Sequence, residues 1–148
     1  MCVEMEIQSI NKEFIAQMHE RAAGSERKRM NYDLRTTPDD QSQRMLNVLE
    51  VGTQVPIHRH EDTAETVICI EGRLIEIFYE EQVEYVREET SRTEDMVRRY
   101  TFREVARVEL CPREGKYGVQ VPQGVWHTIE VLEPSTIFEA KDGAYVGR

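Results

Sequence analysis

From Arg44 onward the chain is written in short runs rich in β-branched and aromatic residues, each stopped by Gly or Pro: residues 45–51, 66–70, 73–79, 117–121, 128–132 and 136–140. Runs of that length bounded by turn formers read as strands. Almost no helical periodicity separates them, so the strands are expected to pair antiparallel in a sandwich or barrel. A parallel sheet would need a crossover helix between each pair. The 148 residues suit one domain with a single core.

Only the N-terminal region carries a helical pattern. Ile7, Ile10, Phe14, Met18 and Ala22 recur every three or four positions, with Asn11, Lys12, Glu13 and Gln17 on the other sides. Ser9 is the expected N-cap and Ala23-Gly24-Ser25 the expected stop. Residues 26–43 then read as a polar arm and loop, with the basic run Arg27-Lys28-Arg29 and the turn signal Thr37-Pro38-Asp39-Asp40. The expected organisation is helix and arm over 1–43 and a β-barrel over 44–148. Within the barrel, the charge-rich stretch 80–109 lacks Gly and Pro and reads as a long exposed hairpin turning near residues 90–93. A short helix around 94–100 is the alternative.

Charge narrows the partners. Nineteen basic residues against 28 acidic ones give a net charge of −9, a field that repels phosphate backbones, so nucleic acid is not an expected partner. The start of the chain has neither a basic flank nor an apolar run, and no stretch approaches the ~18 apolar residues of a membrane span. A cytoplasmic location without a membrane partner is therefore expected. Cys2, Cys69 and Cys111 are odd in number and widely spaced, which suits no disulfide framework. Cys69 and Cys111 read as small apolar core residues.

Three of the four histidines lie in two compact segments. His58 and His60 are two apart, so on a strand they share a face. Glu65 follows five residues later across a turn, and His127 arrives from another strand just after Pro122-Gln-Gly124. Together they read as a three-histidine, one-carboxylate metal site. Such donors suit one divalent ion of the iron, zinc, manganese, nickel or copper group, with positions left for an anionic oxygen ligand. His19, on the helix, has no partner in the sequence and reads as structural. Trp126 would face away from His127 and reads as packing.

These segments resemble the two signature motifs of the cupin superfamily. Gly52, His58, His60, Glu65 and Gly72 match the first motif at every position. Pro122, Gly124 and His127 fit the second, while Lys116 and Val131 stand where its first Gly and last Asn belong, and Gly115 and Gly118 flank the former. Further stretches are similar to the WbuC-type cupin metalloproteins: Arg29-Met-Asn31-Tyr32, Gln43-Arg-Met-Leu-Asn47, Pro56 to His60, Tyr117-Gly118-Val119 and Gly124 to Thr128. The resemblance implies a mainly β, single-domain cupin barrel of the jelly-roll type behind an N-terminal helix. It also implies one metal ion held by His58, His60, Glu65 and His127, and an association with O-antigen or surface-polysaccharide synthesis.

Three functions follow as expectations. One is an isomerase or epimerase of a sugar or sugar nucleotide, in which a side chain moves a proton; Arg44, Tyr117 and Lys141 are the candidates because they lie on or beside expected strands. The second is a non-haem iron dioxygenase. The third is a non-catalytic module that captures a small anionic or sugar-like ligand. By analogy with small barrels that pair through an edge strand, a homodimer is expected.

Overall fold

The computed structural model describes residues 5–87 and 96–143, so Cys2 and the expected turn at 90–93 lie outside the described residues. Helix α1 spans Lys12–Ala23, followed by strands β1 Arg29–Asp33, β2 Ser42–Leu49, β3 Glu65–Arg87, β4 Met96–Leu110, β5 Gly118–Val121 and β6 Trp126–Asp142. The strand order is β1-β2-β6-β3-β4, with β5 beside the first residues of β3, and every strand pairing is antiparallel. The expected single, mainly β domain behind one helix is what the chain forms. No helix of the described residues is long and apolar enough to cross a membrane.

Helix α1 starts later than its apolar spacing predicts. The Asn11 side-chain oxygen accepts the Phe14 amide at 2.9 Å while Asn11 itself is extended, which fixes the first turn there. Ile7 and Ile10 are left exposed. Ile15, Met18 and Ala22 form the buried stripe, and Met18 and Ala22 pack on Leu46 and Val48 of β2 with Met30, Tyr32 and Phe138 around them. His19, expected to stand alone, ties this helix to the sheet. Its Nδ1 lies 2.6 Å from Glu50 Oε1, and its Nε2 lies 3.0 Å from Thr136 Oγ1 and 3.2 Å from Glu71 Oε1.

Part of the expected arm is strand β1, paired residue for residue with β2. β2 is buried on both faces: Leu46 and Val48 meet the helix, while Met45, Asn47 and Leu49 face the other way. On that inner side Leu49, Val67, Cys69, Leu74, Phe78, Leu110, Val121, Val131 and Ile137 form the main core. Cys69 and Cys111 are buried as expected, and burial pushes the Cys69 thiol up to about 11.

The expected hairpin over the charged segment forms, with β3 and β4 pairing outward as far as Arg87 opposite Met96. The alternative helix near 94–100 does not: residues 96–100 are strand.

Runs 66–70 and 73–79 are one strand, and so are 128–132 and 136–140. Gly72 and Pro134 read in the sequence as breaks, yet they mark a shared bend. Gly72 has φ +94°, and a Cβ on it would stand 2.3 Å from the Pro134 carbonyl oxygen and 2.5 Å from Ser135 Oγ. Ser135 Oγ accepts the Arg73 amide at 3.0 Å and donates to the Glu133 carbonyl at 2.7 Å, which keeps the ladder supplied through the irregularity. The bend is large. Glu65 pairs with Lys141 and Phe78 with His127, thirteen residues along the same ladder, about 43 Å if it were straight. Even so, Glu65 Oε1 lies 4.0 Å from His127 Nε2. The β3–β6 ribbon has folded over so that its two ends meet.

Two outcomes follow. Gly72→Ala should lower unfolding stability by at least about 2 kcal/mol, because both the left-handed backbone and the contact with Pro134 exclude a side chain; denaturant melts measure it. At pH 8, iodoacetamide should leave Cys69 and Cys111 of the native protein unmodified and label both after unfolding, read by mass spectrometry.

Candidate metal centre

The two histidine segments are stitched to each other by backbone. His58 N–H donates to the His127 carbonyl at 3.0 Å, and His127 N–H donates to the His58 carbonyl at 2.8 Å. Gly124 N–H donates to the His60 carbonyl at 2.8 Å, and Gln123 Nε2 to the Glu61 carbonyl at 2.8 Å. Thr128 Oγ1 adds a bond to the Val55 carbonyl at 2.5 Å. Outside this bridge His58 and His60 lie on a loop, where the sequence suggests a strand. Pro56, which has no amide hydrogen to give a neighbouring strand, and the turn at Gly52 keep the segment out of the sheet.

All three imidazoles converge. Ring centroids are 4.2 Å apart for His58–His127, 5.3 Å for His58–His60 and 5.4 Å for His60–His127. One nitrogen from each of His58, His60 and His127 lies within 4.8 Å of the others. Ligand atoms each about 2.1 Å from one ion stand at most about 4.2 Å apart, so a shift of under 1 Å brings them into range. His58 Nδ1 is 2.8 Å from the Pro56 carbonyl oxygen and His127 Nδ1 is 2.9 Å from that of Val125. A carbonyl only accepts, so each Nδ1 carries the hydrogen and each Nε2 presents a lone pair. Backbone carbonyls orient metal-binding histidines in this manner.

Glu65 lies against two of the three imidazoles. It is 3% exposed, with Oε2 3.2 Å from His60 Nε2 and Oε1 4.0 Å from His127 Nε2. A buried carboxylate facing imidazole nitrogens is accommodated by a hydrogen on the imidazole or by a cation between them. The three histidines fit a divalent cation, and Glu65 stands beside them as a further oxygen donor within reach.

The three proton-transfer candidates part company. Lys141 is half-buried and sits directly opposite Glu65 across the β3–β6 ladder, which puts the two side chains on one face. Arg44 pairs with Ala140, one residue out of step, so it faces the other side, with Nη2 3.6 Å from Asp40 Oδ2. Tyr117 is 63% exposed and engages the sheet through its carbonyl, which accepts the Cys69 amide at 2.7 Å. Trp126 packs as expected, between Phe102 at 5.0 Å and the Arg59 guanidinium at 4.6 Å.

Gln43, Asn47 and Glu139, all buried on the inner face, were not singled out as site residues by sequence reasoning. Their signal was the period-two pattern of β2, where Gln43, Met45, Asn47 and Leu49 share one face.

Fold and site together define a single-domain, antiparallel β protein with a histidine cluster able to hold a metal ion. The chain belongs to the family described as "Domain of unknown function (DUF6016)", which matches residues 10–91 and so includes His58, His60 and Glu65. No curated protein matches it. Among solved structures, the capsular polysaccharide assembling protein CapF from Staphylococcus aureus is 18% identical with a TM-score of 0.47, over 78% of this chain and 28% of that one. A cupin-2 domain containing protein from Shewanella frigidimarina is 17% identical with a TM-score of 0.44, over 76% and 79%. The cupin domain of Schizosaccharomyces pombe Cnp3 is 9% identical with a TM-score of 0.46, over 78% and 65%. The chain spans little more than a quarter of the length of CapF.

His127→Ala should reduce bound metal to background, and Glu65→Gln should weaken affinity by at least about tenfold. Elemental analysis of untagged protein and chelator competition measure both; full metal content in His127→Ala would remove that residue from the ligand set.

Proposed function

We propose that the chain is a metal-dependent cupin acting on a sugar or sugar nucleotide of surface-polysaccharide synthesis, as an isomerase or epimerase. The observation that carries this reading is the convergence of His58, His60 and His127 on the buried Glu65, at the spacing shared with the cupin motifs. Three neutral imidazoles and one carboxylate around an iron, zinc, manganese or nickel ion leave about one net positive charge and open coordination positions. When bound, the ion supplies Lewis acidity to neighbouring oxygens of an anionic or sugar-like ligand.

The chain's own groups do the rest. The carbonyls of Pro56 and Val125 hold the His58 and His127 rings in place. Phe78, its ring 6.3 Å from that of His127, walls the inner side of the centre against water. Lys141 is assigned the proton transfer: among the three candidates it alone shares the face of Glu65, and a half-buried amine beside a charged centre can hold or hand on a proton. Arg44 faces the wrong side for the role, and Tyr117 is exposed.

Incubating metal-loaded protein with nucleotide sugars in deuterated water should place deuterium on a carbon of the substrate, followed by NMR. His127→Ala should abolish the exchange and Lys141→Met should slow it at least about 100-fold. Oxygen uptake by the iron-loaded protein, without deuterium exchange, would instead favour a non-haem iron dioxygenase. Ligand-induced thermal stabilisation without either would favour a binding module.

A further inference from the structure

Past Tyr79, which pairs with Trp126, β6 no longer accompanies β3. Glu80 to Arg87 and Met96 to Arg103 continue alone as a two-stranded ribbon of eight rungs, about 26 Å long. Residues directly opposite in an antiparallel ladder share a face, so the register sorts the ribbon's side chains. One face takes Glu80–Arg103, Gln82–Thr101, Glu84–Arg99 and Val86–Val97. Its acids stand opposite its bases, and Arg103 Nη2 donates to Glu80 Oε2 at 2.8 Å. The other face takes Glu81–Phe102, Val83–Tyr100, Tyr85–Arg98 and Arg87–Met96.

This second face is largely apolar and open to solvent. Val83, Tyr85, Met96, Tyr100 and Phe102 are each 40–59% exposed. They extend an aromatic row on the sheet, since Phe102 lies 5.0 Å from Trp126 and 6.3 Å from Tyr79. A contiguous apolar patch of this kind marks an interaction surface, unlike apolar residues scattered singly. A ribbon of two strands is also marginally stable in water and gains from a further layer packed against it. Pairing through the outer edge of β4 would leave these five side chains in water, so the covering layer belongs on the face.

The charges among the apolar residues identify that layer. On the sheet side of the central Val83–Tyr100 rung the face carries Glu81, then Glu104 beside Tyr79. On the outer side it carries Arg98, then Arg87 beside Met96. A second ribbon turned end for end about the central rung brings its arginines to these glutamates and its glutamates to these arginines, with Val83 and Tyr100 of both copies in the middle. A surface complementary to itself under a two-fold rotation is what an isologous dimer requires. A uniformly acidic partner would set like charge against Glu81 and Glu104, and a uniformly basic one would do the same to Arg87 and Arg98. We infer that this face of the β3–β4 ribbon is a dimerisation surface, on which the ribbon of a second copy packs antiparallel and face to face. The surface lies outside the metal centre and does not depend on what that centre binds.

At about 26 Å by 10 Å the patch is smaller than the roughly 800 Å² that each partner of a standard-size complex contributes, so a weak dimer is expected. Sedimentation equilibrium from low to high micromolar concentration should show wild type passing from monomer to dimer. Tyr100→Glu, at the centre of the face, should weaken the dimer at least about tenfold. Thr101→Glu, beside it on the charged face, should leave it unchanged. Glu81→Arg and Arg98→Glu should each weaken association, and the two together, which keep the pattern self-complementary, should restore it. Circular dichroism melts check folding in every variant, because the ribbon stands clear of both core clusters and the barrel reports on itself. A chain that stays monomeric throughout, or a dimer indifferent to Tyr100→Glu, would overturn the assignment. So would a dimer as sensitive to Thr101→Glu as to Tyr100→Glu, or a paired charge reversal no better than the single ones.

Discussion

The folding-over of the β3–β6 ribbon at Gly72 and Ser135 is the constraint on which the rest of this structure depends. β6 is paired along almost its whole length with the first fifteen residues of β3, so the two bend together or not at all. The bend is possible because one strand offers a residue without a side chain where the other offers a backbone carbonyl and a hydroxyl at contact distance. Once it is made, Glu65 at one end of the ladder and His127 at the other meet, and the inner apolar residues close on one another. A flat version of the same sheet would have the same hydrogen bonds, no metal centre and no core.

Closure has an electrostatic side. The folded interior encloses the carboxylates Glu65, Glu76 and Glu139, each under 4% exposed, in a chain already at net charge −9. Burying carboxylates is unfavourable unless cations or donors face them. Asn47 faces Glu139, and the imidazoles face Glu65. The interior is thus built to gain from positive charge arriving between Glu65 and the histidines, and stability and ligation draw on the same groups.

What the sequence disclosed depended on whether a feature was local. The spacing of His58, His60 and Glu65, and the turn before His127, are short-range, so the cluster could be read directly. The helix was legible as an element and its start was not, because Asn11 captures the Phe14 amide whatever the apolar period extends to on its N-terminal side. Gly72 and Pro134 were read as ends of strands since their compatibility with a continuous ladder exists only when the two face each other. β1 was hidden in a polar arm because its partner strand, not its composition, makes it a strand. Arg44 and Lys141 looked alike in sequence, and only register separates the face of one from the other. Gln43 and Asn47 were masked for the same reason: a polar residue every second position is the pattern of a solvated face until the other side is known to be inward.

The backbone bridge between His58 and His127 has a consequence in time as well as in space. Two of the three clustered histidines sit on a loop attached to the sheet at this bridge and at its neighbouring bonds, from Gly124 to His60 and from Thr128 to Val55. An ion held by both segments would be released more readily when they part, so the opening of that small set of hydrogen bonds would bear on its residence time. For an ion held there, uptake and release would then be coupled to local opening at this bridge, well short of global unfolding.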